Sequence, residues 1–251
     1  MKPTSRQATA VRAAAAAASP AATATTRATR AHGQATRQHL LEIAGQVFAE
    51  RGFADGTTKA IAERAGTPMA SINYHFGSRD ALYEAVLVEA HGQLVDIEQL
   101  RALTQQFDDP RDSLRALLTH IVGLATSPAQ PWGVRVMLRE IMSPSALVPA
   151  LVQKAVLPKA QLVLGLLARI LQLPPGHPAV QRAAVMAVLP GLVMLIAPRQ
   201  IIGKVLPAVT SDPQALVDDL CRYVLAGLDA IALAHAPATP GTERKAVARK
   251  R

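Results

Sequence analysis

The chain has 251 residues, half of them hydrophobic and 3% aromatic, and it carries a formal net charge of +9. The apolar half is enough to fill a core, which excludes a wholly disordered chain, and the single cysteine, Cys221, excludes an intramolecular disulfide and a cysteine-based zinc site. The positive balance favours contact with nucleic acid or an anionic membrane, but it says nothing about the fold.

The positive charge is confined to the two ends of the sequence. Residues 1–35 carry five basic side chains and no acidic one, residues 236–251 carry five basic and one acidic, and the region between them has 17 of each. Both ends have a biased composition, and we predict that they are disordered tails. Three roles are open for them: contact with DNA phosphates, solvation without specific contact, or, for residues 1–35, an organelle transit peptide.

From Thr36 onward the hydrophobic periodicity is helical, and no alternating strand pattern stands out. We predict a first helix that Thr36 caps and that ends at Gly52 in a left-handed conformation. Two short helices, 58–65 and 69–76, then flank a tight turn at Gly66-Thr67-Pro68, and Ser78 caps a longer helix. This order is typical of a helix-turn-helix unit.

Beyond residue 105 the sequence predicts five more helical stretches, with proline at nearly every junction. They span 112–126, 132–142, 145–172, 178–202 and 212–234. The longest uncharged stretch, 183–198, is shorter than the roughly 20 apolar residues that a membrane span needs, and it contains Pro190 and Gly191. We therefore predict a buried core helix and no membrane partner, and we expect a cytoplasmic protein because no secretory signal pattern opens the sequence.

The second short helix has an outward face suited to DNA. Small residues around Gly66 let the two short helices pack closely, and apolar side chains such as Ile72 anchor them. The opposite face is then free to enter a major groove about 12 Å wide, where Asn pairs with adenine edges and Met meets thymine methyls. The residues predicted to contact bases are Thr67, Met69, Ser71 and Asn73.

Phosphate contacts are predicted around the same helix. Thr58 stands at a helix start, where free backbone amides favour an anion, and Arg79 supplies charge at the start of the next helix. The full predicted set is Thr58, Tyr74, His75 and Arg79. The region 36–82 has five basic and five acidic residues, so its affinity for DNA must come from placed donors rather than from bulk charge.

Residues 57–87 resemble the DNA-binding motif of the TetR family of bacterial transcription regulators. The matching positions are Thr58, Ile61, Ala62, Ala65, Gly66, Ile72, His75, Phe76, Ser78, Arg79 and Leu82. The segment INYHF and the later segment 137–161 look like one subgroup, regulators with a CerR-type C-terminal domain. The family usually has Lys at Arg79 and Tyr at Asn73, so Tyr74 is expected to share the phosphate role, and a base or a phosphate contact stays open for Asn73.

The resemblance implies an all-α fold in two parts. An N-terminal three-helix helix-turn-helix DNA-binding domain, 36–82, would precede a larger helical ligand-binding and dimerisation domain, 83–235, between the tails 1–35 and 236–251. The last two long helices would form a homodimer. The dimer would set two recognition helices about 34–36 Å apart on a double-stranded, near-palindromic operator.

The ligand-binding half offers a set of large adaptable or polar-tipped side chains as pocket candidates. They are His120, Trp132, Met137, Arg139, Glu140, Met186 and Met194. Arg139 and Glu140 lie in a mostly apolar segment and point about 100° apart on a helix, so each needs another partner. Two roles are open for this pair, a bridge between helices or a polar anchor for a ligand.

These features predict a homodimeric, ligand-responsive transcriptional regulator that binds specific DNA, a repressor released from its operator by an unknown small molecule in the nucleoid. The alternative is a tail-driven DNA-binding protein without sequence preference. An enzyme is not predicted, because no phosphate loop, paired carboxylates or activated nucleophile is evident. No cofactor or metal is expected, since the seven histidines are scattered along the chain.

Overall fold

The computed structural model describes residues 20–196 and 199–236. Within these ranges the chain forms helices and no strand, which confirms the all-α prediction. The helices are α1 (Pro20–Asp55), α2 (Thr58–Ala65), α3 (Met69–Phe76), α4 (Arg79–Leu94), α5 (Ile97–Gln105), α6 (Pro110–Thr126), α7 (Trp132–Met142), α8 (Val148–Leu151), a π-helical turn (Val152–Val156), α9 (Leu157–Leu171), α10 (Pro178–Ile196), α11 (Arg199–Val205), α12 (Pro207–Ser211) and α13 (Pro213–His235).

Helix α1 begins at Pro20, well before the predicted start at Thr36. The Thr36 hydroxyl does not cap a helix but donates to the His32 carbonyl at 3.0 Å, as a threonine inside a helix does. Alanine has the highest helix propensity, so the Ala-rich stretch extends the helix. This corrects the predicted disordered tail for residues 20–35, whereas residues 1–19 and 237–251 lie outside the described chain.

Helix α4 joins the N-terminal unit to the rest of the protein. The core cluster under α1–α4 contains Leu40, Ile61, Ile72 and Leu82, all fully buried, and it also includes Trp132 from α7. The predicted domain boundary at 82/83 therefore falls inside α4, and one continuous core crosses it. A movement of α4 is thereby coupled to the orientation of α2 and α3.

The C-terminal half differs from the prediction in its details. Helix α5, which Asp96 caps, was not predicted, and the expected helix 145–172 begins only at Val148 and contains the π-helical turn. Pro158, next in α9, has no backbone N–H to give to an i−4 carbonyl, which accounts for a widened turn at this point.

Two helical stretches, Val148–Leu171 and Pro178–Leu195, are long and apolar enough to cross a membrane. Both contribute fully buried residues, such as Leu167 and Val180, to the second core cluster, together with α6 and α13. Packing within the protein buries 28% of the first stretch and 33% of the second, so the prediction that 183–198 lies in a buried core helix holds only for one face of α10.

Candidate nucleic-acid interface and internal cavity

The turn between α2 and α3 is built by local chain chemistry. Thr57 caps α2 by accepting the Ala60 amide at 3.2 Å, and Gly66 ends the helix with φ of 63°, a left-handed conformation that favours glycine. The Gly66 and Thr67 amides return to the carbonyls of Glu63 and Ala62. Ser78 then caps α4 by accepting the Ala81 amide at 3.1 Å, as predicted.

Helix α3 presents a polar, outward face. Ile72 is fully buried beneath it, which leaves Met69 55% exposed, Tyr74 85% exposed and Asn73 exposed beside them. Among the described residues, neither the Asn73 amide nor the Tyr74 hydroxyl has a hydrogen-bond partner. Their donors and acceptors are therefore free to meet an external surface such as a DNA groove.

The other predicted contacts on this unit lie at different depths. Ser71, His75 and Thr58 are half-buried. Thr67 is a correction: its hydroxyl oxygen is buried in the turn without a hydrogen-bond partner among the described residues, so the fold does not present it to bases. Its backbone amide, bonded to Ala62, serves the turn itself.

Arg79 is a second correction. Its guanidinium donates to three carbonyls at the end of α1, those of Phe53, Ala54 at 3.3 Å and Gly56 at 3.1 Å. It also lies over the Phe53 ring, 4.2 Å from the ring centroid. These contacts occupy Nε and Nη2 inside the protein and leave only Nη1 without a bond in the described chain. Arg79 thus clamps α4 to the end of α1 instead of acting chiefly as a phosphate contact.

The C-terminal half forms an apolar cavity, partly open to solvent, with two lobes that share His91, Leu94, Val156, Leu192 and Leu195. The first, which we call the Lys159 lobe, has a volume of about 510 Å³ between α4, α5, α6, α9 and α10. The second, the Glu140 lobe, has a volume of about 380 Å³ between α4, α7, α8 and α10. These sizes are in the range of small-molecule binding sites.

Only Met137 and Glu140 of the seven predicted pocket residues line this cavity. The other five are corrections. His120 bonds the Leu94 carbonyl at 3.1 Å beside the cavity, Met186 is 59% exposed on the outer face of α10, and Met194 packs partly buried against the core clusters. Methionine is common both in ligand pockets and in protein cores, so its occurrence in the sequence did not distinguish these two locations.

Trp132 and Arg139, the remaining two, connect α7 to α1. The Trp132 indole donates to Glu42 at 2.9 Å, and its ring lies against Gly45, where a Cβ would come within 2.5 Å of it. Arg139 donates to the carbonyls of Ala49 at 3.1 Å and Glu50 at 2.8 Å. Both side chains therefore hold α7, which lines the Glu140 lobe, against α1 of the N-terminal unit.

Lys159 and His91 are cavity residues that the sequence reasoning missed. Lys159 is only 8% exposed, and its ammonium donates to His91 Nδ1 at 2.9 Å and to the His91 carbonyl at 3.0 Å. Burial lowers the pKa of Lys159, and burial together with the nearby ammonium lowers the pKa of His91 to about 4. A lysine in the mostly apolar helix α9 was the available signal.

The lowered pKa of His91 predicts a pH-dependent stability. Because the imidazole titrates near 6.5 when unfolded and near 4 when folded, the unfolded state binds more protons between these values. The free energy of unfolding is expected to fall as pH is lowered from 6.5 to 4, by up to about 3 kcal/mol. Urea unfolding across this range should show a flatter profile for His91→Asn than for the exposed control His32→Asn. Equal profiles for the two variants would contradict the assignment.

Comparison with known proteins gives two family matches. Residues 40–86 match the profile described as "Bacterial regulatory proteins, tetR family". Residues 110–231 match "HTH-type transcriptional dual regulator CecR, C-terminal domain". The subgroup predicted from the sequence is thereby confirmed, and its correct name is CecR rather than CerR.

The relatives matched in these comparisons are transcriptional regulators. UidR of Escherichia coli K12 is 26% identical over 110 residues, which cover 44% of this chain and 52% of UidR. BetI of Stenotrophomonas maltophilia is 34% identical over 83 residues, covering 33% of this chain and 41% of BetI. The chain thus matches about half the length of these curated relatives or less.

The solved structures extend the likeness to most of the chain. FadR of Bacillus subtilis, solved in complex with stearoyl-CoA, superposes with a TM-score of 0.59 at 16% identity, covering 76% of this chain and 98% of FadR. At this identity the comparison shows a shared fold, with the helix-turn-helix unit and the helical C-terminal half in the same arrangement.

Proposed function

Because this chain belongs to the TetR family of transcriptional regulators, we propose that it is a homodimeric repressor that a small molecule releases from a near-palindromic operator. The observation that carries the proposal is the exposed face of α3, where Asn73 and Tyr74 have no partners within the described chain. We keep Met69, Ser71 and Asn73 as base contacts and Thr58, Tyr74 and His75 as phosphate contacts. In this role the protein acts on the nucleoid in the cytoplasm.

The dimer is proposed to form through α10 and α13. Both helices carry exposed large apolar side chains outside the cavity lining: Met186 and Val193 on α10, and Tyr223 and Leu233 on α13. A shallow groove between the two helices is lined by Met186 together with the small residues Ala230 and Ala234. Small residues let a second pair of helices approach closely, so a four-helix interface between two copies fits this surface.

Ligand response is proposed to run through α4. Its first residue, Arg79, is clamped to the end of α1, and its last turns supply His91 and Leu94 to the cavity. A helix of this length, about 24 Å at 1.5 Å per residue, converts a small tilt at the cavity into a displacement of α3. The effector must bind the tilted state more tightly than the DNA-bound state, since only that difference can shift the equilibrium.

Selection of bound duplexes from a random DNA pool by the full-length protein tests the proposal. We expect enrichment of two half-sites related by a two-fold axis, with centres about 10 base pairs or a multiple apart. No enriched sequence at moderate salt, with competitor DNA present, would favour the alternative of tail-driven binding without sequence preference. Of the predicted tails, residues 1–19 and 237–251 lie outside the described residues, and the same selection with these two segments removed tests their predicted contacts.

A further inference from the structure

Lys159 is a buried cation inside the cavity without an acidic partner. Its side chain is 8% exposed, and within the described chain no Asp or Glu oxygen lies within 4.0 Å of its ammonium. Asp96, a carboxylate that influences it electrostatically, accepts the amides of Glu98 and Gln99 as the cap of α5. Buried charges in proteins are normally paired, so this ammonium calls for an anion.

The contacts that Lys159 does make leave one donor free. An ammonium has three N–H groups, and two of them are used by His91 Nδ1 and the His91 carbonyl. Nδ1 accepts this bond only when it carries no proton, and the lowered pKa of His91 keeps the ring neutral at pH 7. Lys159 is therefore the donor in this pair, and its side chain lines the lobe.

The Glu140 lobe has the opposite character. Glu140 accepts the Tyr83 hydroxyl at 2.8 Å, the Ser145 amide at 2.7 Å and the Ser145 hydroxyl at 2.6 Å. Protein donors thus satisfy both of its oxygens, and its charge repels an anion from that lobe. An anionic headgroup is consequently directed to the Lys159 end of the cavity.

The rest of the Lys159 lobe selects for aliphatic groups. Leu, Val, Ile and Ala supply its walls, and among its described lining residues there is no Phe, Tyr or Trp. Among its described lining residues the only aromatic ring is the His91 imidazole, whose Nδ1 is bonded to Lys159, whereas a hydrocarbon chain gains from contact with each aliphatic residue. Gln181, Val185 and Leu189 of α10 lie exposed at the edge of the lobe, which places an opening on this side.

We propose that the effector is an amphiphilic monoanion, an aliphatic carboxylate whose headgroup binds the Lys159 ammonium and whose chain fills the Lys159 lobe. The proposal deepens the ligand response described above and rests on it. The carboxylate supplies the missing counter-charge, and the chain replaces water on the apolar walls. Binding therefore acts on Lys159 of α9, which is already hydrogen-bonded to His91 of α4.

Calorimetric titration of the full-length protein with decanoate, decan-1-ol and decyltrimethylammonium tests the headgroup. We expect decanoate to bind with one site per chain and at least about tenfold more tightly than the alcohol, because a charge-assisted hydrogen bond is lost in the alcohol. The ammonium compound is expected to bind most weakly. Equal affinity for decanoate and decan-1-ol, or a preference for the cation, would overturn the proposal.

Variants locate the site. Lys159→Met keeps the length of the side chain and is expected to remove the preference for decanoate while leaving decan-1-ol binding intact. Lys154→Met is the matched control, because Lys154 is exposed and pairs with Glu84 outside the cavity. Ala184→Phe, which fills the lobe, should weaken both ligands. Unchanged decanoate binding in Lys159→Met would reject the site, and the wild-type headgroup series decides the chemistry if that variant does not fold.

The proposed repressor function and the proposed ligand class can be contradicted independently of each other. A protein that selects an operator but shows no preference for decanoate keeps its proposed function and loses this ligand class. A protein that binds decanoate through Lys159 but enriches no DNA sequence keeps the ligand site and loses the repressor function.

Discussion

Asn73→Ala is expected to weaken binding to the selected operator by about 30-fold or more. A bidentate contact between an amide side chain and a base contributes roughly 1–3 kcal/mol, and a two-fold dimer makes it at two half-sites. Fluorescence anisotropy with the operator and with a scrambled duplex measures the effect. The fold should not change, since the Asn73 side chain is exposed and bonds to no other described residue.

The scrambled duplex distinguishes the two roles that the sequence leaves open for Asn73. A loss confined to the operator identifies a base contact, whereas an equal loss on both duplexes identifies a phosphate contact. Gln105→Ala, an exposed amide on α5, is the control and should bind as the wild type does. Wild-type affinity of Asn73→Ala for both duplexes would contradict the placement of α3 in the groove.

Glu140→Ala is expected to lower the free energy of unfolding by about 3 to 4 kcal/mol. The carboxylate is 4% exposed, and its loss would leave the Tyr83 hydroxyl and the Ser145 donors without their acceptor. Each buried donor left unpaired costs roughly 1–3 kcal/mol. Burial and the bond to Glu140 raise the pKa of Tyr83, so its hydroxyl stays protonated and remains a donor.

Urea unfolding followed by circular dichroism measures the change. Glu140→Gln retains one acceptor oxygen and should lose less stability than Glu140→Ala, and Met142→Ala, at a 76% exposed position on the same helix, should be close to wild type. A Glu140→Ala protein within about 1 kcal/mol of wild type would show that this network is not a structural bridge. The bridge is the first of the two roles that the sequence allowed for Glu140.

The helix-turn-helix unit could be predicted from the sequence because its signals are local. The bounds 58–65 and 69–76 agree with α2 and α3, and the tight turn at Gly66 and the Ser78 cap are both present. The same local reasoning failed at Thr36, since an Ala-rich segment is both low in complexity and strong in helix propensity. It also missed α5, although Asp96 before Ile97 is a recognisable capping signal.

The sequence by itself determined the helical class, the position of the DNA-facing helix and the family resemblance, because these depend on periodicity, caps and turns within a few residues. The features that depend on long-range packing were decided only by the tertiary structure. It turned Arg79 inward onto the end of α1, assigned Trp132 and Arg139 to the contact between α7 and α1, and enclosed Lys159 in the cavity without a carboxylate partner. A side chain's exposure and partners depend on helices distant in sequence, which no local pattern records.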